Sequence, residues 1–580
     1  MTNQTNIRVA LWTLLFFIFF ATDAPFARAQ HPGLDPTLRS GDRPDPRLDE
    51  GREDKPKPRI STPAPTEVPP PEEPQQLGPR IGVLVKEIHI EGNTTFPEEE
   101  ITAIAAPFLN RKLYYEDLEQ LRRDLTLHYV QNGYVNSGAV LPDQTVANGV
   151  LRYVIIEGEL SDVMVIGNRW LRDGYYTRRI ETAAKPPLNI NTLEQRLQLL
   201  QQNGLIQNVQ AELKPGLHPG QSILDLTVAE RSPFNFWTAF NNYQSPSVGA
   251  ERGLLTLEHR SLTGNGDVVA LTYGRSQGLD PLLDVSYRLP LTAWDTELGL
   301  RYRKNDFDII DEAFADLDIE SESEIIEVKV RQPFWRTTSR EFAVGLIGER
   351  LHSRSELLGI PYSFSPGSID GESTVAALRF SQEYLYRSRR QVVAAHSRFS
   401  WGVDSFDATI HEDETPDGRF FAWLGQFQWT RIFSFLDIQA IGRLDIQLAD
   451  QALLALEQMP VGGRYSVRGY LENQMVRDNG VIASLETRIP LVQNAPWAEY
   501  LQVAPFFDYG QGWNHEITPE PSSIYSVGLG IRWGLRLIEG PLPVSAQAEI
   551  YWGHQLEDIE TSGNTPQDKG FHMQLVIASF

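Results

Sequence analysis

The chain has 580 residues, a formal net charge of −24 and no cysteine. Its length predicts several domains, and its acidic balance argues against a nucleic-acid partner, which would need a basic surface. The lack of cysteine excludes disulfides and thiol chemistry.

The N-terminus has the pattern of an export signal. Arg8 precedes the apolar run VALWTLLFFIFFA at 9–21, and ARAQ follows with Ala27 and Ala29 at small-residue positions. This order predicts a secretory signal peptide over 1–29; the alternative, an uncleaved membrane anchor, would need a longer run. No later run reaches the roughly 20 apolar residues of a membrane-spanning helix, so a membrane-embedded portion would have to be a β-barrel.

Residues 30–80 are dominated by proline and charge, as in PEEPQQ and DKPKPR. Such a segment has too few apolar side chains to form a core. It predicts a disordered, partly extended linker without an enzyme site.

The next 150 or so residues contain an internal repeat. Each copy has about 75 residues, near the lower end of domain sizes. Gly92-Asn93 recurs as Gly167-Asn168, an offset of 75, and the LEQ at 118–120 recurs at 193–195 with the same offset. Each copy reads strand, helix, helix, strand, strand. The sequence therefore predicts two small α+β modules, 81–159 and 160–230, rather than one divergent α/β domain.

Beyond residue 231 the helical stripes give way to alternating runs, such as YSVGLGIRWGL at 525–535. About sixteen such runs occur, with mostly short connectors on one side and long ones on the other, which is typical of an outer-membrane barrel. A single alternating strand would equally suit a soluble sandwich, so the prediction of a transmembrane antiparallel β-barrel over 231–580 rests on number and spacing. The modules would lie on the short-turn, periplasmic side.

The long connector 448–478 is unusual because its motif MPVGGRYSVRGYLENQ places arginines among glycines and tyrosines. We expect this loop to fold inward, because Asp508 in the strand LQVAPFFDYGQGW faces the lumen by parity and would pair with an arginine there. A hydrated aspartate with an arginine on the surface remains the alternative at this point.

The combination of three motifs resembles the transporters of two-partner secretion, the haemolysin-activator and filamentous-haemagglutinin transporter family of the POTRA-plus-barrel superfamily. The first is the block 128–160, HYVQNGYVNSGAVLPDQTVANGVLRYVIIEGEL. The others are a pore-loop motif and a barrel-wall motif, formed by Val467, Arg468, Gly469 and Tyr470 and by Phe506, Asp508 and Gly510.

This resemblance implies a sixteen-stranded barrel with two POTRA domains and a contact between Arg468 and Asp508. It also implies that the POTRA domains recognise a secreted, adhesin- or haemolysin-like exoprotein, which crosses the barrel unfolded to the cell surface. Family members often carry an N-terminal plug helix, which the proline-rich segment 30–80 does not favour.

The sequence contains no HExxH, no GxSxG and no cysteine nucleophile, so we expect no enzyme, no catalytic residue, no cofactor and no metal. The expected partners are the exoprotein, outer-membrane lipid and the outer-membrane assembly machinery that inserts the barrel. We expect a monomer, because a closed barrel leaves no strand edge to pair. A barrel-assembly factor with more POTRA repeats and a passive porin are the alternative functions.

Overall fold

A computed structural model of the chain describes residues 60–61, 82–310, 318–413, 415–540, 543–559 and 563–579. The predicted signal peptide and most of the predicted linker lie outside the described residues. Within the described ranges, no helix is both long and apolar enough to cross a membrane.

The first module places two helices on a three-stranded sheet, in which the strand Val150–Ile156 lies between Glu87–Glu91 and Gly138–Val140. The longer helix, α2, packs Leu121, Leu125 and Tyr129 onto the sheet, because residues four apart share one helical face. Its elements are β2 (Val83–Val85), β3 (Glu87–Glu91), α1 (Glu98–Ala105), β4 (Arg111–Leu113), α2 (Tyr115–Gln131), β5 (Gly138–Val140) and β6 (Val150–Ile156).

The second module repeats this design with a sheet in which the strand Gln221–Glu230 lies between Ile206–Pro215 and Glu159–Ile166. Leu193, Leu197 and Leu200 of its second helix are buried against the sheet. Its elements are β7 (Glu159–Ile166), α3 (Asp173–Glu181), α4 (Ile190–Gln201), β8 (Ile206–Pro215) and β9 (Gln221–Glu230). The predicted order of strand, helix, helix, strand, strand is therefore confirmed in this copy, and the first copy adds the short pair of β2 and β4.

Two residues of the predicted linker, Ile60 and Ser61, form a short strand. β1 (Ile60–Ser61) lies parallel to β8, with Ile60 opposite Ala211 and Ser61 opposite Glu212. The side chain of Ile60 joins the core of the second module. The prediction of disorder is wrong at these two residues, because an unpaired edge strand and an apolar contact were available to them.

In each module a glutamate at the end of the last strand accepts hydrogen bonds from a turn, which follows β3 in the first module and β7 in the second. In the first module, Glu157 accepts hydrogen bonds from the backbone N–H of Thr94 at 2.8 Å, the hydroxyl of Thr95 at 2.7 Å and the hydroxyl of Tyr129 at 3.0 Å. Partial burial raises the pKa of Glu157, but these hydrogen bonds outweigh it, so its pKa lies below the usual value. The ionised carboxylate therefore stabilises the folded module.

The second module has the same arrangement at Glu230. Its carboxylate accepts hydrogen bonds from the backbone N–H of Trp170 at 2.6 Å and from the hydroxyl of Tyr176 at 2.7 Å. The turns held in this way contain the repeated Gly-Asn pairs, so the repeat seen in the sequence corresponds to a repeated structural contact.

Replacement of Glu157 by glutamine is expected to destabilise the first module by about 2 kcal/mol at neutral pH, the scale of hydrogen bonds to a charged group. Because the folded-state pKa is lowered, this stabilisation is present above the unfolded pKa and is lost as pH falls through the folded one. Hydrogen exchange of α2 amides in the full-length protein would measure it. The exposed Glu99→Gln variant is the control, and equal protection in both variants would contradict the assignment.

The C-terminal part forms a closed antiparallel barrel of sixteen long strands, which confirms the predicted fold class. The strands are β10 (Phe234–Asn241), β11 (Arg252–Arg260), β12 (Val268–Arg275), β13 (Leu279–Pro290), β14 (Glu297–Asp308), β15 (Ile319–Arg336), β16 (Arg340–Leu357), β18 (Glu372–Arg387), β19 (Gln391–Gly402), β20 (Phe421–Ile432), β21 (Gln439–Ala449), β24 (Asn479–Ala495), β25 (Ala498–Trp513), β26 (Ser523–Ile538), β27 (Val544–Gln555) and β28 (Phe571–Ser579). The short strands β17 (Ile360–Pro361), β22 (Met459–Val461) and β23 (Met475–Arg477) belong to connecting loops.

The barrel surface follows the alternation of the sequence. On β26, Val527, Leu529 and Ile531 are exposed, whereas Ser526 and Arg532 are buried on the luminal face. An apolar outer face with a polar interior is the arrangement that a lipid environment requires.

The eleventh strand begins at 439, later than the run near 434 suggested, because 433–438 form a turn with two positive-φ residues.

The second module contacts the short turns of the barrel. The guanidinium of Arg179 in α3 lies 2.8 Å from the carboxylate of Asp295, in the turn between β13 and β14, and Arg336 contacts the same carboxylate at 2.7 Å. The backbone N–H of Arg172 donates to the carbonyl of Gly264 in another short turn at 2.9 Å. The modules therefore lie at the end opposite the long loops.

Candidate functional site: the loop inside the barrel

The connector between β21 and β24, residues 450–478, folds into the barrel. It starts with a 3-10 turn, Ala455–Glu457, and β22 then pairs antiparallel with β23. We call residues 453–457 the loop shoulder and residues 464–470 the loop tip. Val467 and Tyr470 of the tip have no exposed surface, and Arg468 is 2% exposed. In the structure the loop is folded inward, as the sequence predicted.

The guanidinium of Arg468 in the tip binds the carboxylate of Asp508 in the wall through two nitrogens. Nε of Arg468 donates to Oδ2 of Asp508 at 2.7 Å, and Nη2 donates to Oδ1 at 2.8 Å. The backbone N–H of Arg468 adds a third hydrogen bond to Oδ2 at 3.0 Å. A bidentate pair of this kind fixes the orientation of both groups. Asp508 has no exposed surface, so water does not screen the interaction.

Further wall residues complete the pocket around Arg468. Glu486 of β24 forms a second ion pair with the guanidinium and also contacts Arg488 at 2.7 Å. The Phe506 ring lies 3.7 Å from the centre of the guanidinium, within the range of a cation–π interaction. The hydroxyl of Ser484 donates to Asp508 at 2.6 Å. The arginine is therefore held by charge, by hydrogen bonds and by an aromatic face.

The barrel-wall motif supplies a different contact from each of its three residues. Phe506 stacks on the arginine, Asp508 pairs with it, and Gly510 leaves room for the loop. A β-carbon added to Gly510 would lie 2.4 Å from Cγ1 of Val461 and 2.7 Å from Cγ2 of Val467, both loop residues. Alternate residues of a strand share one face, which is why the motif has a spacing of two.

The other residues of the pore-loop motif also contact the wall. The hydroxyl of Tyr470 donates a hydrogen bond to a backbone carbonyl, with those of Tyr525 at 3.0 Å and Glu557 at 2.9 Å both in reach. Gly469 has a φ of 96°, and its N–H donates to Nε2 of His572 at 3.1 Å. The tip thus also contacts the last barrel strand.

A second arginine in the tip has its own partner. Arg464 lies 2.9 Å from the carboxylate of Glu549 on β27, and the hydroxyl of Tyr243 contacts the same carboxylate at 3.0 Å. The centre of the Arg464 guanidinium lies 4.1 Å from the Tyr551 ring. Two arginines of the loop therefore meet acidic and aromatic groups of the wall.

The family resemblance paired Arg468 with Asp508, but neither it nor the residue pattern identified Glu486, Ser484 or Glu549 as partners. Glu486 and Ser484 share strand parity, and Ser484 lies opposite Asp508 in the register of β24 and β25. Glu486 is a charged residue on a neighbouring strand, and its position in the alternation makes it face the lumen, so this signal was present in the sequence. Nothing local in the sequence links Glu549 to Arg464.

The residues of this site form non-covalent contacts between the loop and the barrel wall. In the part of the chain that the structure describes, no cluster of His, Cys, Asp and Glu side chains could hold a metal ion. The groups that converge are cations of the loop with carboxylates and rings of the wall. Such an arrangement holds a loop in place and allows its release without breaking a covalent bond.

Replacement of Gly469 by alanine is expected to loosen the loop tip. The alanine would have to adopt a positive φ, and its β-carbon would lie 2.8 Å from the carbonyl oxygen of Gly553. Together these cost at least about 1 kcal/mol. Faster trypsin cleavage after Arg464 and Arg468 in the assembled barrel would report this. Gly348→Ala is the matched control, since its β-carbon would meet no atom within 4 Å. Equal cleavage rates in both variants would contradict the expectation.

Comparison with known proteins places these features in one family. The family model for haemolysin secretion/activation proteins ShlB/FhaC/HecB matches residues 220–533, more than half of the chain, and the model for the ShlB-type POTRA domain matches residues 83–158. The outer membrane transporter CdiB of Dickeya dadantii (strain 3937) is 27% identical over 418 residues, which cover 68% of this chain and 70% of that protein.

Solved structures share the fold. CdiB from Escherichia coli aligns over 89% of this chain and 94% of that chain, with a TM-score of 0.62 at 20% identity. CdiB from Acinetobacter baumannii aligns over 99% and 97%, with a TM-score of 0.57 at 16% identity. With the matched family model and the barrel described above, the chain belongs to the ShlB/FhaC/HecB family of haemolysin secretion/activation proteins, outer-membrane transporters of two-partner secretion whose POTRA domains lie in the periplasm.

Proposed function

We propose that this chain recognises one secreted exoprotein through its POTRA domains and moves it, unfolded, through the barrel to the cell surface. The observation that carries the proposal is the buried contact of Arg468 with Asp508 and Glu486 inside a barrel of this family. A loop held in the lumen by ion pairs must leave its place before a polypeptide passes, so the pore-loop and barrel-wall motifs act as the latch of the channel.

The latch is reversible because all of its contacts are non-covalent. A chain that enters the lumen brings its own polar groups, which replace the loop as partners of the wall. Folding of the exported chain outside the cell then disfavours its return and gives the transport a direction. Outer-membrane lipid surrounds the apolar face, the outer-membrane assembly machinery inserts the barrel, and the transporter works as a monomer.

The edge of the second module offers a binding surface for the partner. β7 is the last strand of its sheet, and its Met164 and Ile166 are 48% and 57% exposed. An extended segment of the exoprotein adds a strand beside β7, with main-chain hydrogen bonds for affinity and these two side chains for selectivity. Val163 and Val165 face the opposite way and pack on the core.

Site-specific photo-crosslinking tests this surface. A photoreactive side chain at Met164 or Ile166 is expected to capture the co-expressed exoprotein during export. The same group at Leu217, which is 93% exposed in a turn of the module, serves as the control. Capture at Leu217 as strong as at β7, or no capture at β7, would contradict the proposed edge.

Secretion itself separates this proposal from a barrel-assembly factor. Depletion of the chain is expected to leave only its exoprotein in the periplasm. A general loss of outer-membrane proteins would favour the assembly factor instead. The exoprotein to test first is any large exported β-helical protein that an adjacent gene is found to encode.

A further inference from the structure

A second buried ion cluster lies on another side of the barrel wall. Arg379 of β18 is 1% exposed and contacts Glu349 of β16 at 2.6 Å. It also contacts Glu457 at 2.8 Å, in a pair whose side chains are 1% and 2% exposed. Nη1 of Arg379 donates to the hydroxyl of Ser400 on β19 at 2.8 Å. Glu457 belongs to the loop shoulder, so this cluster joins the same loop to a different set of strands.

Apolar contacts surround this ion cluster. Leu453 and Leu454 of the shoulder are 2% and 1% exposed and form one cluster with side chains of the wall. Those wall residues are Ile325, Leu351, Val375, Ala377, Phe420 and Ala422. The shoulder is therefore packed onto the wall as well as paired with it.

The two contacts hold the loop across the lumen. β18 is the eighth barrel strand, whereas the carboxylates that pair with the tip arginines lie on the twelfth, thirteenth and fifteenth strands, β24, β25 and β27. The shoulder and the tip are therefore paired with separate parts of the wall, at least four strands apart. The signs of charge are also reversed: the tip presents arginines to wall carboxylates, whereas the shoulder presents a carboxylate to a wall arginine.

We propose that Glu457 and Arg379 form a second anchor of the loop, and that this anchor is released before the tip. The proposal rests on the proposed function, in which the loop leaves the lumen during transport. Arg379 and Glu457 are positioning residues: they hold the loop across the lumen and set the order of its release.

The order follows from what each release leaves behind. When the shoulder leaves, Arg379 keeps Glu349, so the wall retains a neutral ion pair and the excess carboxylate moves to water. When the tip leaves, Asp508 loses a bidentate arginine in a fully buried position. Breaking a buried pair is costly mainly because one charge stays without compensation. The shoulder therefore has the lower cost of release.

The experiment compares two isosteric variants in the full-length protein. Glu457→Gln removes the shoulder charge, whereas Glu349→Gln, the matched control, removes a wall carboxylate and keeps the anchor. In planar bilayers, Glu457→Gln is expected to raise the open fraction of the channel about tenfold, the scale of one lost charge-assisted hydrogen bond. Glu349→Gln is expected to lower the open fraction, because release of the shoulder would then leave the buried Arg379 without a carboxylate. An unchanged open fraction in Glu457→Gln, or an equal rise in both variants, would overturn the proposal.

Charge reversal provides an independent test. Arg379→Glu alone gathers three carboxylates and Glu457→Arg alone gathers two guanidinium groups, so both are expected to open the channel. The double variant restores the net charge of the cluster and is expected to restore closure; a double variant as open as the worse single one would count against pairing. Conductance reports the anchor whether or not the exoprotein is exported, so failure of the proposed transport would appear separately, in secretion alone.

Discussion

Replacement of Arg468 by alanine is expected to abolish most secretion of the exoprotein while the barrel still assembles. The change leaves Asp508 buried without its bidentate partner, and the loss of one member of a buried ion pair costs roughly 3–5 kcal/mol. An undocked loop stays in the lumen without a defined position and competes with the exported chain for space. Secretion is measured as exoprotein at the cell surface, and assembly as the heat-dependent mobility of the folded barrel.

Asp508→Ala is expected to have the same effect, since it removes the other member of the pair. The double variant with both alanines should be less destabilised than the sum of the single ones, because no charge is then left unpaired. Arg536→Ala, which removes a pair that is 49% and 21% exposed, is the control and should secrete normally. Full secretion by both Arg468→Ala and Asp508→Ala would contradict the latch.

A covalent lock of the loop is expected to block secretion completely and reversibly. A β-carbon on Gly510 would lie 2.4 Å from Cγ1 of Val461, so the two β-carbons are at most about 4 Å apart, within the range of a disulfide. The double variant Val461→Cys and Gly510→Cys should therefore form a disulfide. No other thiol competes, because the natural chain has no cysteine.

The reduced protein is the internal control for this lock. Secretion should stop under oxidising conditions and return when a reductant is added. Gly510→Cys alone shows the packing cost of the extra side chain, and that cost should not respond to the reductant. Undiminished secretion through the oxidised double variant would mean that the loop does not have to move.

The features that the sequence predicted correctly are those with a local period. Alternation along each strand predicted a sixteen-stranded barrel, since a strand shows successive side chains to opposite faces. The offset of 75 between Gly92-Asn93 and Gly167-Asn168 predicted a repeated module. The second copy has the predicted order of elements, and the first adds the short strands β2 and β4. The same parity placed Asp508 in the lumen, where the structure has it.

The partners of the loop were predicted only in part, because they lie far apart in the chain. Resemblance to a family supplied the pair of Arg468 with Asp508, but the pairs of Arg464 with Glu549 and of Glu457 with Arg379 have no local signal. They depend on which strands face each other across the closed barrel and on how far the loop extends.

The short strand at Ile60–Ser61 illustrates the same limit at the other end of the chain. Composition predicted disorder for its surroundings, because proline and charge outweigh apolar side chains there. An unpaired edge of β8 nevertheless binds these two residues and buries Ile60.

By itself, the sequence determined the two modules, the barrel and the luminal face of β25. Alternation and helical stripes depend on residues a few positions apart, and the repeat appears as a constant offset. The tertiary structure alone decided how the loop is held, with its arginine tip on one side of the wall and its acidic shoulder on the other. The physical reason is that an ion pair forms between surfaces brought together by barrel closure, and closure depends on the register of all sixteen strands at once.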